Sequence, residues 1–437
     1  MGFGLRMKIT ILNQFYVPDI SPTAHLCASL AEHLAARGHE VTVVASRGGY
    51  VPASIGDAGP DDQREEGPGP TVPKIFRLWT PQLGKSNILK RCIDYATFYL
   101  LALWRMLRLP RQDAIISLTT PPYIAWAGAM HKLLHRGTRL ILWNMDCYPD
   151  AAERLGVMKT GGILSRVLRG LNRAMFARLD HLITLDTAMK ELLLSQYGPR
   201  HCELSCTIIP NWEKASFFPA DATPPAWQCA RELDLNGRFV VLYLGNMGYG
   251  HEFDTILQAA ERLRDEPVAF LFVGGGRRWS ELDAAVRQRN LPNIIMRDYV
   301  PKDETLAVMA RAHCALITLR DESLGVMSPS KLHGNLAMSL PVLYIGPRGS
   351  NVDDAIQRFG CGESLRSGDV EGVMMFIRAH IARGEPHREA RRRARRAFDE
   401  AYTDSVTLPQ FERVIEQATD VHATEGLARF SPGQRSG

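Results

Sequence analysis

Apolar residues fall along this chain in short dense runs, separated by longer stretches where they recur every three or four positions. Runs at 8–12, 40–45, 114–118, 139–143 and 181–185 carry Ile, Val or Leu at half or more of their positions. That is the pattern of strands buried on both faces of a sheet. Residues 24–37 carry Ala and Leu at helical spacing, and Gly38 supplies a helix stop. Residues 47–72, dense in Gly, Pro, Asp and Glu, predict a long loop. A second series follows Ile208-Ile-Pro-Asn211 and the proline-containing stretch 219–225. Its strands are predicted at 239–244, 268–273, 293–296, 314–319 and 341–345, with helical windows at 253–263, 279–289, 303–312 and 331–338. Two successions of strand–helix units predict an α/β chain of two doubly wound, Rossmann-like domains facing across a cleft. The first takes residues 1–212 and the second 213–402, and 403–437 form a C-terminal helix with a polar tail, frayed from about residue 424.

The length of 437 residues is about three times the usual domain size, consistent with two cores. With 45% hydrophobic and 23% charged residues, disordered and fibrous classes are excluded for the bulk of the chain. A net charge of +5 suits an anionic ligand or membrane surface, but without clustering it falls short of a nucleic-acid footprint. Eight scattered cysteines, none in a Cys-x2-Cys pair, read as free thiols of a reducing, cytoplasmic compartment. No signal-peptide pattern opens the chain, and Met7 reads as the working start. The longest apolar stretch, 93–104, contains Asp94 and is too short to span a bilayer. The histidines show no metal-ligand spacing, so no metal is expected.

Several segments could carry chemistry. Gly245-Asn-Met-Gly-Tyr-Gly250 follows a strand and precedes a helix, where glycines let backbone approach an anion. Gly274-Gly-Gly276 repeats this one strand later, with Arg277 and Arg278 attached. Either run alone fits a tight turn; the two together favour a phosphate-bearing ligand. Ser328-Pro-Ser-Lys331 opens a helix, where Ser328 or Ser330 could cap and Lys331 offers a cation. The bland alternative is a well-capped helix with a solvated lysine. Asp146 follows the strand at 139–143, at the carboxyl edge where such sheets bind ligands, or else caps a nearby helix. Residues 90–111 mix aromatic and aliphatic side chains with arginines at the ends. They suit an interfacial helix on an anionic leaflet, or a buried helix with snorkelling arginines. The basic run 388–396 is flanked by acids and reads as a solvated helix.

In their order and spacing, Phe15-Tyr-Val-Pro-Asp19, Asp146-Cys-Tyr-Pro-Asp150, Ile209-Pro-Asn-Trp212, Leu244-Gly-Asn-Met-Gly248, Phe272-Val-Gly-Gly-Gly276 and Pro329-Ser-Lys-Leu332 resemble the family 4 glycosyltransferases. Within that family the likeness is to the bacterial branch that builds capsule, exopolysaccharide and O-antigen units, and it extends from Met7 to about Tyr402. The resemblance implies a GT-B fold and a retaining, metal-independent hexosyl or N-acetylhexosaminyl transfer. The donor is a nucleotide-sugar substrate, UDP-linked by expectation, and the acceptor a lipid-linked saccharide or similar; no cofactor is implied. The enzyme would work in the cytoplasm, peripheral on the inner face of the cell membrane. On this reading Lys331, with Ser328 and Ser330, holds the donor diphosphate, and Gly245, Asn246, Gly248, His251, Gly275 and Arg277 line its other side. Tyr299 and Val300 border the nucleobase, Asp146 orients the transferred sugar, and Pro22 and Thr23 lie on the acceptor side. The sequence also departs from the family pattern. Asn246 and His251 stand where many members have Arg and Lys, and the family's paired glutamates fall on Val326 and Gly334. These departures motivate a rival expectation, a non-catalytic GT-B scaffold that binds partners.

Overall fold

The structure is a computed structural model that describes residues 6–19, 21–47, 71–81, 88–218, 227, 233, 235–301 and 304–428. The predicted loop at 47–72, the stretch 219–225 and the tail beyond 428 lie almost wholly outside the described residues. The first sheet contains β1 (Lys8–Leu12), β2 (Glu40–Ser46), β3 (Lys74–Leu78), β4 (Ala114–Ser117), β5 (Arg139–Trp143), β6 (His181–Thr184) and β7 (Cys206–Ile208). Their order is β3-β2-β1-β4-β5-β6-β7, with every pair parallel. Helices α1 (Pro22–Ala36), α2 (Ile88–Arg108), α3 (Ala125–Leu134), α4 (Asp150–Arg154), α5 (Ile163–Phe176) and α6 (Thr187–Tyr197) connect the strands. The order reverses beside β1, so the switch-point crevice opens between the ends of β1 and β4.

The second sheet is also wholly parallel, in the order β10-β9-β8-β11-β12-β13. It comprises β8 (Phe239–Asn246), β9 (Val268–Gly275), β10 (Ile294–Arg297), β11 (Cys314–Thr318), β12 (Val342–Ile345) and β13 (Gly362–Leu365). Its helices are α7 (Asp254–Arg262), α8 (Trp279–Gln288), α9 (Thr305–Ala310), α10 (Lys331–Ala337), α11 (Asn351–Phe359), α12 (Val370–Ile381) and α13 (Glu385–Ala401). Helix α14 (Asp404–Ala428) ends the described chain.

Three strands were not anticipated. β3, β7 and β13 read KIFRL, CTI and GESL; they are edge strands or short, half-buried ones, and they lack the continuous apolar run that burial on two faces imposes. α1 begins two residues early, with Pro22 in its first turn, where the missing N–H costs nothing. β8 and β9 extend into their glycine runs, and Gly245 pairs with Gly274 and Asn246 with Gly275. Part of what reads as loop is therefore sheet. The basic run lies on α13, where Arg388, Arg392, Arg393, Arg395 and Arg396 pair with Glu385, Glu389, Asp399 and Glu400, as a solvated charge-rich helix should.

The chain crosses between domains twice, and the crossings run side by side. Glu213 and Thr403 pair in a parallel bridge, and the amide of Glu213 donates to the Tyr402 carbonyl at 3.0 Å. Helix α14 then returns to the first domain. Phe411 packs edge-on against Trp143 (4.6 Å between ring centres) and Trp212 (5.5 Å), which stack on each other at 5.6 Å. Glu412 accepts from Arg37 at 2.8 Å. A third contact comes from the segment after β11: fully buried Val326 joins the first domain's core, and the Cys147 thiol donates to the Gly325 carbonyl at 3.3 Å.

Candidate active site

The donor-side geometry starts at the end of β8. Gly245 has φ +117°, a conformation that favours glycine, and a Cβ there would stand 3.3 Å from Cε of Lys331. The missing side chain leaves room for the lysine, which the first turn of α10 carries to the strand end. Lys331 Nζ donates to the Asn246 carbonyl at 3.2 Å, faces Nε2 of His251 at 3.4 Å, and lies 4.9 Å from the centre of the Tyr243 ring. Burial pushes the ammonium down to about 8. His251 is buried, and its Nδ1 lies 2.7 Å from the Thr318 carbonyl, to which it can only donate. Its Nε2 therefore carries the lone pair that faces Lys331. Burial first, then the Lys331 and Arg278 charges, push this imidazole down to about 3, so it is neutral. Asn246 is neutral as well. Both neighbours accept from the lysine, Asn246 through its backbone carbonyl and His251 through its ring.

The second glycine run interlocks with the first. Gly274 has φ +145°, and a Cβ on it would collide with the Gly245 carbonyl at 2.2 Å, so the turns fit only backbone to backbone. The Met247 amide donates to the Gly275 carbonyl at 2.7 Å. A Cβ on Gly248 would sit 3.3 Å from Asn246 Nδ2. Tyr299 is exposed and lays its ring edge over Gly275, and Val300 packs against the core beneath. Arg277 is exposed, 5.8 Å from the Tyr249 ring centre, and Arg278 donates to the His251 carbonyl at 2.6 Å and to Glu281 at 2.9 Å. Ser330 occupies the N-cap position of α10, but its hydroxyl makes no capping bond and stays exposed. The expected serine cap is absent because Ser330 has helical φ and ψ, which turn the side chain away from the N3 amide. The Ser328 hydroxyl bonds to Asp186, the N-cap of α6 in the first domain.

Asp146 lies beyond β5. The amides of Met145 and Asp146 both donate to the Thr119 hydroxyl, at 3.1 and 3.2 Å. The Asp146 side chain is open to solvent yet ringed by protein on most sides, as befits a cleft wall, and its lost hydration raises its pKa. One residue on, Cys147 holds Gly325; two residues to either side of Gly325, Ser323 and Met327 abut Gly250. A continuous strip of protein thus joins the Asp146 turn to the Lys331 turn. Asp146 also borders a small recess of about 20 Å³, room for about one water molecule, with Thr119, Tyr123, Asn144, Tyr148 and Asn172. Tyr123 holds a backbone φ of +67°, rare for a bulky residue, and among the described residues its buried hydroxyl has no hydrogen-bond partner. Pro22 and Thr23 open α1, with the hydroxyls of Thr23 and Ser21 2.9 Å apart.

Val326 and Gly334 differ in kind. Val326 is sealed in the first domain's core, so a carboxylate has no place there. A Cβ at Gly334 would meet only Met309 Cε, at 3.9 Å. Sequence reasoning missed Tyr243, whose place in a buried strand marks it as core, and Tyr123, whose hydroxyl no motif announces. Among the described residues no group of three or more His, Cys, Asp or Glu side chains could hold a metal ion, and no helix is long and apolar enough to cross a membrane.

Residues 24–212 match the sequence profile of the glycosyl transferase 4-like domain. The chain is 25% identical over 404 residues to WcaI of Escherichia coli K12, named as a glycosyl transferase of colanic acid biosynthesis; the match covers 90% of this chain and 97% of WcaI. It is also 25% identical over 306 residues to WbjE of Pseudomonas aeruginosa, named as a glycosyltransferase, covering 68% of this chain and 73% of that one. Among solved structures, sucrose-phosphate synthase of Thermosynechococcus elongatus superposes with a TM-score of 0.67 at 14% identity, covering 95% of this chain and all of its own. WaaG, a glycosyltransferase of lipopolysaccharide biosynthesis, gives 0.58 at 16% identity, covering 94% of this chain and 99% of its own. Anabaena HepE, determined with UDP-glucose, gives 0.62 at 12% identity, covering 94% of this chain and all of its own. The two parallel-sheet domains are those of the GT-B fold.

Proposed function

We propose that the chain is a glycosyltransferase of the family 4 kind and that it moves a sugar from a UDP-linked donor to a lipid-linked saccharide in the assembly of a cell-surface polysaccharide. The observation that carries this is the placing of Lys331. It is a half-buried cation at the carboxyl end of β8, joined by the 323–327 segment to the Asp146 turn of the other domain. A diphosphate at the mouth of Gly245 and Asn246 meets the free donor of that ammonium. WcaI and WbjE suggest the polysaccharide setting, and UDP-glucose in HepE suggests uridine.

Transfer then proceeds with retention and without a metal. The C1–phosphate oxygen bond breaks through an oxocarbenium-like state as the bond from the acceptor oxygen to C1 forms on the same face. The acceptor proton passes to the leaving phosphate oxygen. The protein positions the partners, and Lys331 stabilises charge gathering on the diphosphate. Asp146 accepts a hydrogen bond from the sugar, and the Tyr123 hydroxyl meets an acceptor group in the recess.

The test is thermal stability against UDP, GDP, dTDP and their sugars. A ligand at a hundred times its Kd adds about 2.7 kcal/mol. A shift with uridine nucleotides alone supports the reading. No shift with any would favour the scaffold alternative, for which the neutral His251 and the sealed Val326 speak.

A further inference from the structure

Helix α5 turns polar side chains inward along most of its length and packs Met175 and Phe176 into the core at its end, while an apolar stripe faces outward. Ser165 and Asn172 are buried, Ser165 donating to Glu153 and Asn172 to the Tyr148 carbonyl at 2.6 Å. Arg169 reaches inward to Asp150 at 2.7 Å and Glu153 at 2.6 Å. The opposite side exposes Ile163 (78%), Leu164 (60%), Val167 (54%) and Leu171 (42%), and Val157 in the preceding turn is exposed too. A helix of a water-facing domain turns its apolar stripe to the core, so this orientation leaves a face without an occupant.

The charges around the face say what fits it. Residues 154–179 contain no Asp or Glu, but they include Arg154, Lys159, Arg166, Arg169, Arg173 and Arg178. Arg166, Arg173 and Lys159 are exposed, and among the described residues none pairs with a carboxylate. The pattern continues onto neighbouring helices: α3 touches α5 and exposes Leu133 and Leu134, and α2 packs on α3 and exposes Leu100 and Trp104. On α2 the stripe of Phe98, Ala102 and Met106 is buried, so each of the two alternatives for that segment describes one of its sides.

We propose that the outer face of α5 docks on an anionic lipid surface. Ile163, Leu164, Val167 and Leu171 enter the headgroup boundary, and Arg166, Arg173 and Lys159 meet lipid phosphates. A second copy of the chain fits poorly, because two-fold packing of an acid-free face brings arginines together without a counter-charge. The inner face of α5 supplies Asn172, Met175 and Phe176 to the recess beside Asp146. Docking therefore sets that recess one helix diameter, roughly 10 Å, from the lipid; in this respect the inference rests on the lipid-linked acceptor proposed above.

The test is flotation of the full chain with vesicles of phosphatidylcholine alone and of an equimolar mixture with phosphatidylglycerol. The wild type should partition onto the anionic vesicles at least about tenfold more than onto neutral ones. The double variants Ile163→Ser with Val167→Ser, and Arg166→Glu with Arg173→Glu, change only exposed side chains and should each reduce binding at least about tenfold at an unchanged melting temperature. Equal flotation of the variants, or no flotation of the wild type, overturns the proposal. So does light scattering that finds a dimer which the apolar variant disperses. Donor-induced thermal shifts without vesicles separate the two readings. Shifts without flotation remove only the docking, and flotation without shifts removes only the transfer.

Discussion

Nζ of Lys331 faces Nε2 of His251 at 3.4 Å, a cation held against the lone pair of a neutral ring. With the Asn246 carbonyl as second acceptor, two of its three protons are directed and the third is left for a ligand. The charge at this strand end is that of Lys331, flanked by the neutral Asn246 and His251, and the predictions begin there.

Lys331→Ala should lower kcat/KM by more than tenfold, because a hydrogen bond from a charged donor to a diphosphate is worth ~1.5–3 kcal/mol. Steady-state rates with donor in excess and limiting decide it. Unchanged turnover would remove Lys331 from the mechanism.

The same lysine sets a pH dependence. In the free enzyme it titrates at about 8, and an anionic donor prefers the protonated form. Nucleotide affinity should therefore hold below about 8 and fall as pH rises through it, approaching about tenfold per unit. Calorimetric titration with UDP across that range measures it. A flat profile would mean that the charge does not reach the ligand.

Acid should destabilise the fold before the carboxylates protonate. Burial depresses His333 and His387 to about 4 and His251 to about 3, against 6.5 when unfolded. Their contribution is complete above 6.5 and is lost as pH falls toward about 4, because only the unfolded chain takes up those protons. The slope is about 1.4 kcal/mol per pH unit for each histidine. Urea unfolding at stepped pH reads it directly, and constant stability between pH 6.5 and about 4 would contradict it.

Val326→Glu should cost roughly 3–5 kcal/mol or abolish folding, since it buries an unpaired carboxylate in the first domain's core. Gly334→Glu on α10 meets no close atom and should be neutral or stabilising by ~0.5 kcal/mol from helix propensity. Melting temperatures of the two variants should separate widely; similar values would show that position 326 is not the plug described.

Tyr123→Phe should raise the acceptor KM about two- to tenfold, the worth of one neutral hydrogen bond, and leave donor binding untouched. The positive φ at Tyr123 persists in this variant, so a fall in donor affinity would point to a structural role instead.

The doubling of the fold was legible because most strands are buried on both faces and write themselves as dense apolar runs, as Leu140 to Trp143 and Phe270 to Val273 do. The meeting of Lys331 with Gly245 could be anticipated from strand-end logic, since both lie at the carboxyl edge of one sheet. Edge strands such as Lys74–Leu78 were hidden, because with charges and half-buried positions they carry no run to read. The direction of α5 was hidden too: spacing tells which residues share a side of a helix, not whether that side meets protein or solvent. Nor does any local pattern say that Val326 crosses to the other domain, or that His251 is neutral. Both follow from what surrounds them in space.

The return of α14 to the first domain has a consequence for how the protein is made. Trp143 and Trp212 wait for Phe411, which leaves the ribosome about 200 residues after Trp212. At translation speeds of ~5–20 residues per second, the N-terminal half spends roughly ten to forty seconds with an indole-lined groove uncovered. The second domain can close on itself in that interval, whereas the first cannot. The half that emerges first is completed last, and a chaperone that recognises the nascent chain would find its opening there.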